Sequence, residues 1–222
     1  MEKLIRGIMD FHRVKREQVK DTFAQLALGQ KPDVFFIACS DSRMAVNVFA
    51  STDPGDLFVF RNAGNFVTPN ETGTATPTDE SELAALEFAL EKLSVKHIIV
   101  CGHSDCGAVK AICEGRENVP LPFLKAWLRR GEEALARVKK REPGLAGPAL
   151  VNAVSQQNVL LQLEHLMTYE RVARRVQDGS LALHGLWFHI KEAEVLYARL
   201  EDPAFRVIED KEGERILKSL KG

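Results

Sequence analysis

The stretch Ile98-Ile99-Val100-Cys101-Gly102-His103-Ser104-Asp105-Cys106-Gly107 passes from apolar, β-branched residues to small and polar ones. A short β-branched run that breaks into glycine-containing chain is the pattern of a buried strand ending in a tight turn. His103 and Cys106 then stand three residues apart at the carboxyl end of that strand, where open α/β sheets place their ligands. An imidazole and a thiol at this spacing make half of a metal site. The other half has to come from elsewhere in the chain.

Upstream, Leu83, Leu86, Phe88, Leu90 and Leu93 predict a helix over 80–93, capped by Thr78 or Asp79 with Glu82 as the acidic partner. A Thr/Pro/Gly-rich loop over 67–79 precedes it. Before that loop, a strand over 57–60 follows the turn Asp53-Pro54-Gly55-Asp56 and ends in Arg61-Asn62-Ala63-Gly64-Asn65. The nearly continuous apolar run Val34-Phe35-Phe36-Ile37-Ala38 fits a strand buried on both faces, as in a parallel sheet. It delivers Cys39-Ser40-Asp41-Ser42-Arg43. Strand, helix and strand of these lengths form a βαβ unit with a right-handed crossover.

Downstream, the pattern predicts a helix from Gly107 to Cys113, a basic amphipathic helix over 123–141, a long helix over 149–167 and another over 169–178. A central strand is expected over 181–190 and an edge strand over 194–200, whereas 205–219 is too mixed to assign. Residues 2–29 carry apolar positions at helical spacing. They read as one or two amphipathic helices, broken near 15–17, on the domain surface or on a partner subunit. The fold class is α/β, with a mainly parallel central sheet flanked by helices. One domain is expected over 1–222: a helical arm (1–29), an α/β core (30–190) and a C-terminal extension (191–222).

Composition narrows the function. The 222 residues are 45% hydrophobic, enough for one substantial core. Thirty Lys plus Arg stand against 31 Asp plus Glu, a net charge of -1, so no strong field is available for nucleic acid. No apolar stretch approaches the roughly 20 residues needed to span a bilayer. The first residues have neither the apolar core of a secretory signal nor the composition of a transit peptide. The four cysteines of such a chain are expected reduced, and the location cytoplasmic.

Three strand ends carry reactive residues: Cys39 with Asp41 and Arg43, Arg61 with Asn62, and His103 with Cys106. Cys39, His103 and Cys106 offer two sulfurs and one nitrogen from two strand ends. Three protein ligands and one open position suit a catalytic zinc better than a structural one. Cys101 and Cys113 read as small buried residues and His97 as a satisfied polar residue. His12, His165, His184 and His189 lack a second ligand at metal spacing and read as structural. Asp105 reads as a turn residue. Arg43 would hold Asp41 ionised, so that Asp41 could only accept a hydrogen bond.

Cys-Ser-Asp-Ser-Arg, Phe-Arg-Asn-Ala-Gly-Asn and Cys-Gly-His-Ser-Asp-Cys-Gly-Ala, in this order and spacing, resemble the β-class carbonic anhydrases over about residues 20–190. The resemblance implies Zn2+ on Cys39, His103 and Cys106, with Asp41 and Arg43 as the dyad that orients a zinc-bound hydroxide. It implies reversible hydration of carbon dioxide to bicarbonate and a proton, in a homodimer or an assembly of dimers whose N-terminal helices wrap the other subunit. Gln30 matches a substrate-oxygen donor of one group of the family, Phe58, Ala63 and Gly64 match pocket positions, and Phe88 replaces a frequent tyrosine. Phe36 and Phe188 stand where a second group has the tryptophan and tyrosine of a non-catalytic bicarbonate site. Only Arg61 of that set is matched, so the resemblance is to the group without it. Two other readings use the same motifs: hydrolysis of carbonyl sulfide or carbon disulfide, and a zinc-stabilised bicarbonate-binding protein without turnover.

Overall fold

The computed structural model of the chain describes residues 1–70 and 80–220. Helices α1 (Glu2–Asp10) and α2 (Arg16–Leu26) open it, joined without interruption by π-helical Phe11–Lys15. The expected break near 15–17 is thus a widened turn, which admits an extra residue without ending the helix. Neither helix has a buried residue.

The apolar run becomes β1 (Val34–Cys39), and the one-turn helix α3 (Val46–Phe49) leads to β2 (Leu57–Asn62). Helix α4 (Glu80–Glu87) continues through π-helical Phe88–Lys92 into β3 (His97–His103). The proposed caps Thr78 and Asp79 lie outside the described residues. Helix α5 (Gly107–Cys113) follows the turn after β3. The helix expected over 123–141 is two, α6 (Pro122–Leu128) and α7 (Glu132–Arg141), because 3-10 geometry at Arg129–Gly131 bends the chain between them. Gly131 sits where a Cβ would meet Phe66 and Ile112 at 2.8 and 2.7 Å. Helices α8 (Gly147–Met167) and α9 (Glu170–Gln177) lead to β4 (Ala182–His189). The strand β5 (Glu194–Ala198) is not the edge. A two-residue strand, β6 (Arg206–Val207), pairs outside it, and helix α10 (Asp210–Ser219) occupies the stretch that sequence pattern left unassigned.

The sheet order is β2-β1-β3-β4-β5-β6. The first four strands are parallel and the last two antiparallel. Chain order reverses direction between β1 and β3, the switch point at which doubly wound sheets bind ligands. Both faces of the parallel strands are covered. Phe35 and Ile37 enter one core with Leu86, Leu90, Val159 and Leu163. Phe36 and Ala38 enter the other with Met44, Val109, Val138 and Leu150. This two-sided burial is why β1 reads as a continuous apolar run and not an alternating one. Helix α8 lies so close to β3 that a Cβ on Gly102 would meet Val159 Cγ2 at 2.8 Å, which makes glycine obligatory beside the turn that carries His103.

Candidate metal centre

Strand β1 ends at Cys39 and β3 at His103, on adjacent strands, and the turn after β3 returns Cys106 to the same point. The ligand atoms of Cys39, His103 and Cys106 all lie within 4.8 Å of one another, and all three residues are buried. The two sulfurs are 4.0 Å apart. Tetrahedral zinc, with Zn–S near 2.3 Å, requires about 3.8 Å between them. His103 Nδ1 lies 2.9 Å from the Ser104 carbonyl oxygen, which can only accept, so Nδ1 carries the proton. That leaves the Nε2 lone pair aimed at the two sulfurs, and this fully buried atom has no hydrogen-bond partner. A buried imidazole nitrogen is left so only where something else binds it, and a zinc ion fits the donor set.

Electrostatics favour thiolate. The hydrogen bond from Cys106 holds Cys39 down to about 4 against the opposing effect of burial, helped by the Gly64 N–H. Facing that thiolate and buried, Cys106 is pushed up. The pair therefore shares one proton, which a divalent cation would displace. Burial, with the nearby Cys39 charge adding to it, pushes Cys101 up, and burial is the main cause that pushes Cys113 to about 11, so neither is a ready ligand.

Asp41 follows on the loop after β1. Its Oδ1 accepts from Arg43 Nε and from the Arg43 backbone N–H, both at 2.9 Å, and its Oδ2 accepts from Arg43 Nη2 at 2.7 Å. This bidentate grip holds the carboxyl far below the usual carboxylate range. Oδ2 lies 3.9 Å from His103 Nε2, beside the centre. Asp105 is more than a turn residue: with φ of 52° it turns its carboxylate to Arg43 Nη1 at 3.1 Å and its carbonyl to Nη2 at 3.1 Å. Arg61 donates to the carbonyls of Cys39 and Asp41, bracing the loop between them.

Gly64 joins the centre, its N–H donating to Cys39 Sγ at 3.4 Å. Ala63 lies beside it. Gln30, Phe58 and Phe88 are elsewhere in the chain. Gln30 is exposed and precedes β1 at the opposite end from Cys39, a strand length of about 17 Å away. Phe58 pairs in register with Phe35, four residues back from Cys39, and its ring meets the half-exposed Phe88 at 5.7 Å.

Sequence reasoning missed the supports on α8. Asn152 accepts from the Asp105 N–H, Ser155 donates to the His103 carbonyl, and Asn158 donates to the Gly64 carbonyl. A stripe of polar residues at three- and four-residue intervals in a mostly apolar buried helix was the available signal. His184 also does more than fill space: its ring bridges His97 at 3.1 Å and Tyr197 at 2.9 Å, and burial holds it neutral, down to about 3.

Residues 34–195 match the protein-family model described as carbonic anhydrase. The chain is 39% identical over 197 residues to a carbonic anhydrase of Synechocystis sp., covering 88% of this chain and 70% of that protein. It is 37% identical over 198 residues to a carbonic anhydrase of Pseudomonas aeruginosa, covering 88% and 86%. Among solved structures, it is similar to the β-carbonic anhydrase CcaA with a TM-score of 0.86 and 38% identity, covering 93% of this chain and 98% of that one. It is also similar to a tetrameric β-carbonic anhydrase of Sordaria macrospora, with a TM-score of 0.77 and 27% identity over 88% and 95% of the two chains. With the three motifs gathered at one switch point and a buried Cys/His/Cys cluster between them, the chain belongs to the β-carbonic anhydrase family.

Proposed function

We propose that this chain catalyses the reversible hydration of carbon dioxide to bicarbonate and a proton. The observation that carries the reading is the pairing of a Cys39/His103/Cys106 cluster with a carboxylate, Asp41, locked so that it can only accept a hydrogen bond. Held by these three ligands, zinc supplies a water ionised near neutral pH, the chemistry for which the carbonic anhydrases are the known example. A donor beside the cluster must turn its proton to Asp41 Oδ2 and its lone pair elsewhere, toward a carbon held near Ala63 and Gly64. Arg43 keeps Asp41 charged and aimed, and Asp105 and Arg61 keep Arg43 and the loop in place.

Gln30, Phe58 and Phe88 act, in this reading, on the centre of a partner subunit. The support is that Gln30 precedes β1 at the end away from Cys39, that Phe58 meets Phe88 toward the same end of the sheet, and that the arm, 1–29, leaves Leu4, Ile8 and Val14 more than half exposed. Such an arm suits a second copy. Removing residues 1–29 should yield a monomer by light scattering and lower kcat/KM at least 10-fold, with zinc retained; an active monomer overturns this assignment. In the same reading the arm, the core (30–190) and the extension (191–222) make up one domain, a reading supported by β5 and β6 of the extension joining the sheet of the core.

The group without a bicarbonate switch fits best. Phe36 is buried, Phe188 stacks on Phe49 at 4.7 Å, and Arg61 is engaged by backbone carbonyls. No described helix is long and apolar enough to cross a membrane. All four cysteines are unpaired, which supports a reducing, cytoplasmic location.

The test is stopped-flow hydration from pH 6.5 to 9 with zinc content measured on the same sample. Two thiolates leave the metal less electropositive than neutral imidazoles would, so the rate should rise with pH. Asp41, held ionised throughout that range, cannot cause the rise. A flat profile overturns the expected effect of the two thiolates on the metal, and zinc-loaded protein that does not hydrate carbon dioxide overturns the proposal.

A further inference from the structure

The Ala63–Gly64 peptide is gripped at both ends. Its N–H donates to Cys39 Sγ at 3.4 Å, and its carbonyl, Ala63 O, accepts from the indole Nε1–H of Trp127 at 2.7 Å. The two bonds lie on opposite sides of one planar trans amide, so the indole fixes the plane that aims the N–H at sulfur. A peptide whose oxygen accepts a bond is polarised and becomes a stronger donor through its nitrogen.

The surroundings hold this geometry. Gly64 has φ of 90°, and a Cβ there would meet the Phe66 ring at 2.6 Å. Asn62 closes the turn, accepting from the Phe66 N–H at 2.9 Å and donating to the Phe66 carbonyl at 2.8 Å. The next carbonyl, Gly64 O, accepts from Asn158 Nδ2 at 3.1 Å; Asn158 Oδ1 accepts from Gln162 Nε2 at 2.8 Å; Gln162 Oε1 accepts from the Val67 N–H at 2.7 Å. This chain begins at a backbone donor and ends at a backbone acceptor, so both buried amides have one possible orientation. Trp127 is seated by Phe66, at 6.0 Å between rings, and by the Arg130 guanidinium 4.1 Å over its face.

We propose that Trp127 is a positioning residue for Cys39: through the Ala63–Gly64 peptide its indole N–H aims and strengthens the hydrogen bond that the Cys39 sulfur receives, and so limits the charge this thiolate passes to a bound metal. The inference rests on Cys39 being a metal ligand. Hydrogen bonds to a ligating thiolate are among the outer contacts that tune a metal site. Nothing in the amphipathic pattern of α6 marks Trp127 out; only the fold brings it to the peptide.

The experiment is cobalt substitution of the full-length protein. In the unaltered protein, near-ultraviolet thiolate-to-cobalt charge-transfer bands are expected; their absence overturns the assignment of Cys39 and Cys106 as ligands. In Trp127→Phe, which keeps a ring against Phe66 and under Arg130 but lacks the N–H, the sulfur is more strongly donating. The bands should therefore move to longer wavelength; separately, with the plane of the Ala63–Gly64 peptide no longer fixed, Cys39 is less well held in place and zinc should be lost to a chelator about 10-fold more readily. A benzothienyl-alanine at position 127, which differs from tryptophan by sulfur in place of N–H, gives the same comparison should the phenylalanine variant fold poorly. Phe123→Ala, on the same helix with its ring 90% exposed, is the control and should leave the bands in place. Bands in the unaltered protein that do not move in either Trp127 variant overturn the proposal.

Discussion

Replacing Asp41 with asparagine should lower kcat/KM for carbon dioxide hydration by about 100-fold or more while leaving zinc content unchanged. The substitution preserves shape but not hydrogen-bond sense. Asp41 presents only acceptors, three of them engaged by Arg43: the backbone N–H and Nε on Oδ1, and Nη2 on Oδ2. An asparagine that keeps its oxygen on the first two must turn its NH2 group toward Arg43 Nη2, placing donor against donor. The same NH2 group then stands where Oδ2 stood, 3.9 Å from His103 Nε2, and offers hydrogen where the reaction needs a lone pair. Arg43 retains Asp105, at 3.1 Å, so the loop has reason to remain folded. The stability contribution of the Asp41–Arg43 pair is present above the unfolded carboxylate pKa near 3.9 and is lost only as pH falls through the depressed folded value. Assays from pH 6.5 to 9 therefore compare variants outside that transition. Unchanged hydration in Asp41→Asn would remove Asp41 from the mechanism and favour a zinc protein whose chemistry does not depend on the dyad.

The distance between what the chain spells out and what the fold adds follows physical lines. Strands β1 and β3 are legible because both faces are buried, which makes their sequences continuously apolar, and because each runs directly into a reactive turn. The zinc ligands are legible because thiol and imidazole at strand ends have few other uses. Asp105 is not: a carboxylate with φ of 52° in a Ser-Asp-Cys turn looks conformational until Arg43, 62 residues earlier, is seen to reach it. Trp127 and Asn158 are invisible for the same reason, since their targets are backbone atoms of the 62–66 turn, which carry no sequence signature. Gln30, Phe58 and Phe88 show a different gap. Their alignment to pocket positions comes from resemblance, and within one chain nothing brings them to the Cys39 cluster. Strand β6 escaped because two residues of pairing leave no periodic trace, and helix α10 because it is short, mostly charged and buries no residue.

Cys39→Ser is expected to abolish the metal site outright. The hydroxyl occupies nearly the volume of the thiol, so the strand end should survive: the Cys39 carbonyl still accepts from Arg61 at 2.8 and 3.0 Å, and the residue is already buried. What changes is the donor. A serine hydroxyl does not ionise near neutral pH, whereas Cys39 is held down to about 4 by the Cys106 hydrogen bond and its neighbours. Loss of an anionic ligand from a three-ligand set exceeds the 10–100-fold cost typical of losing an outer contact, so zinc affinity should fall by more than about 100-fold and hydration with it. Because metal binds the folded chain in preference to the unfolded one, the melting temperature of the zinc-treated variant should also drop toward that of chelated wild type. The informative comparison is Cys113→Ser. That thiol, pushed up to about 11 by burial, is no part of the cluster, and its variant should keep zinc, activity and melting temperature. Equal zinc in the two variants, measured by metal analysis after dialysis against a chelator, would refute the assignment of Cys39 as a ligand. With it would go the three-ligand centre on which the proposed chemistry depends.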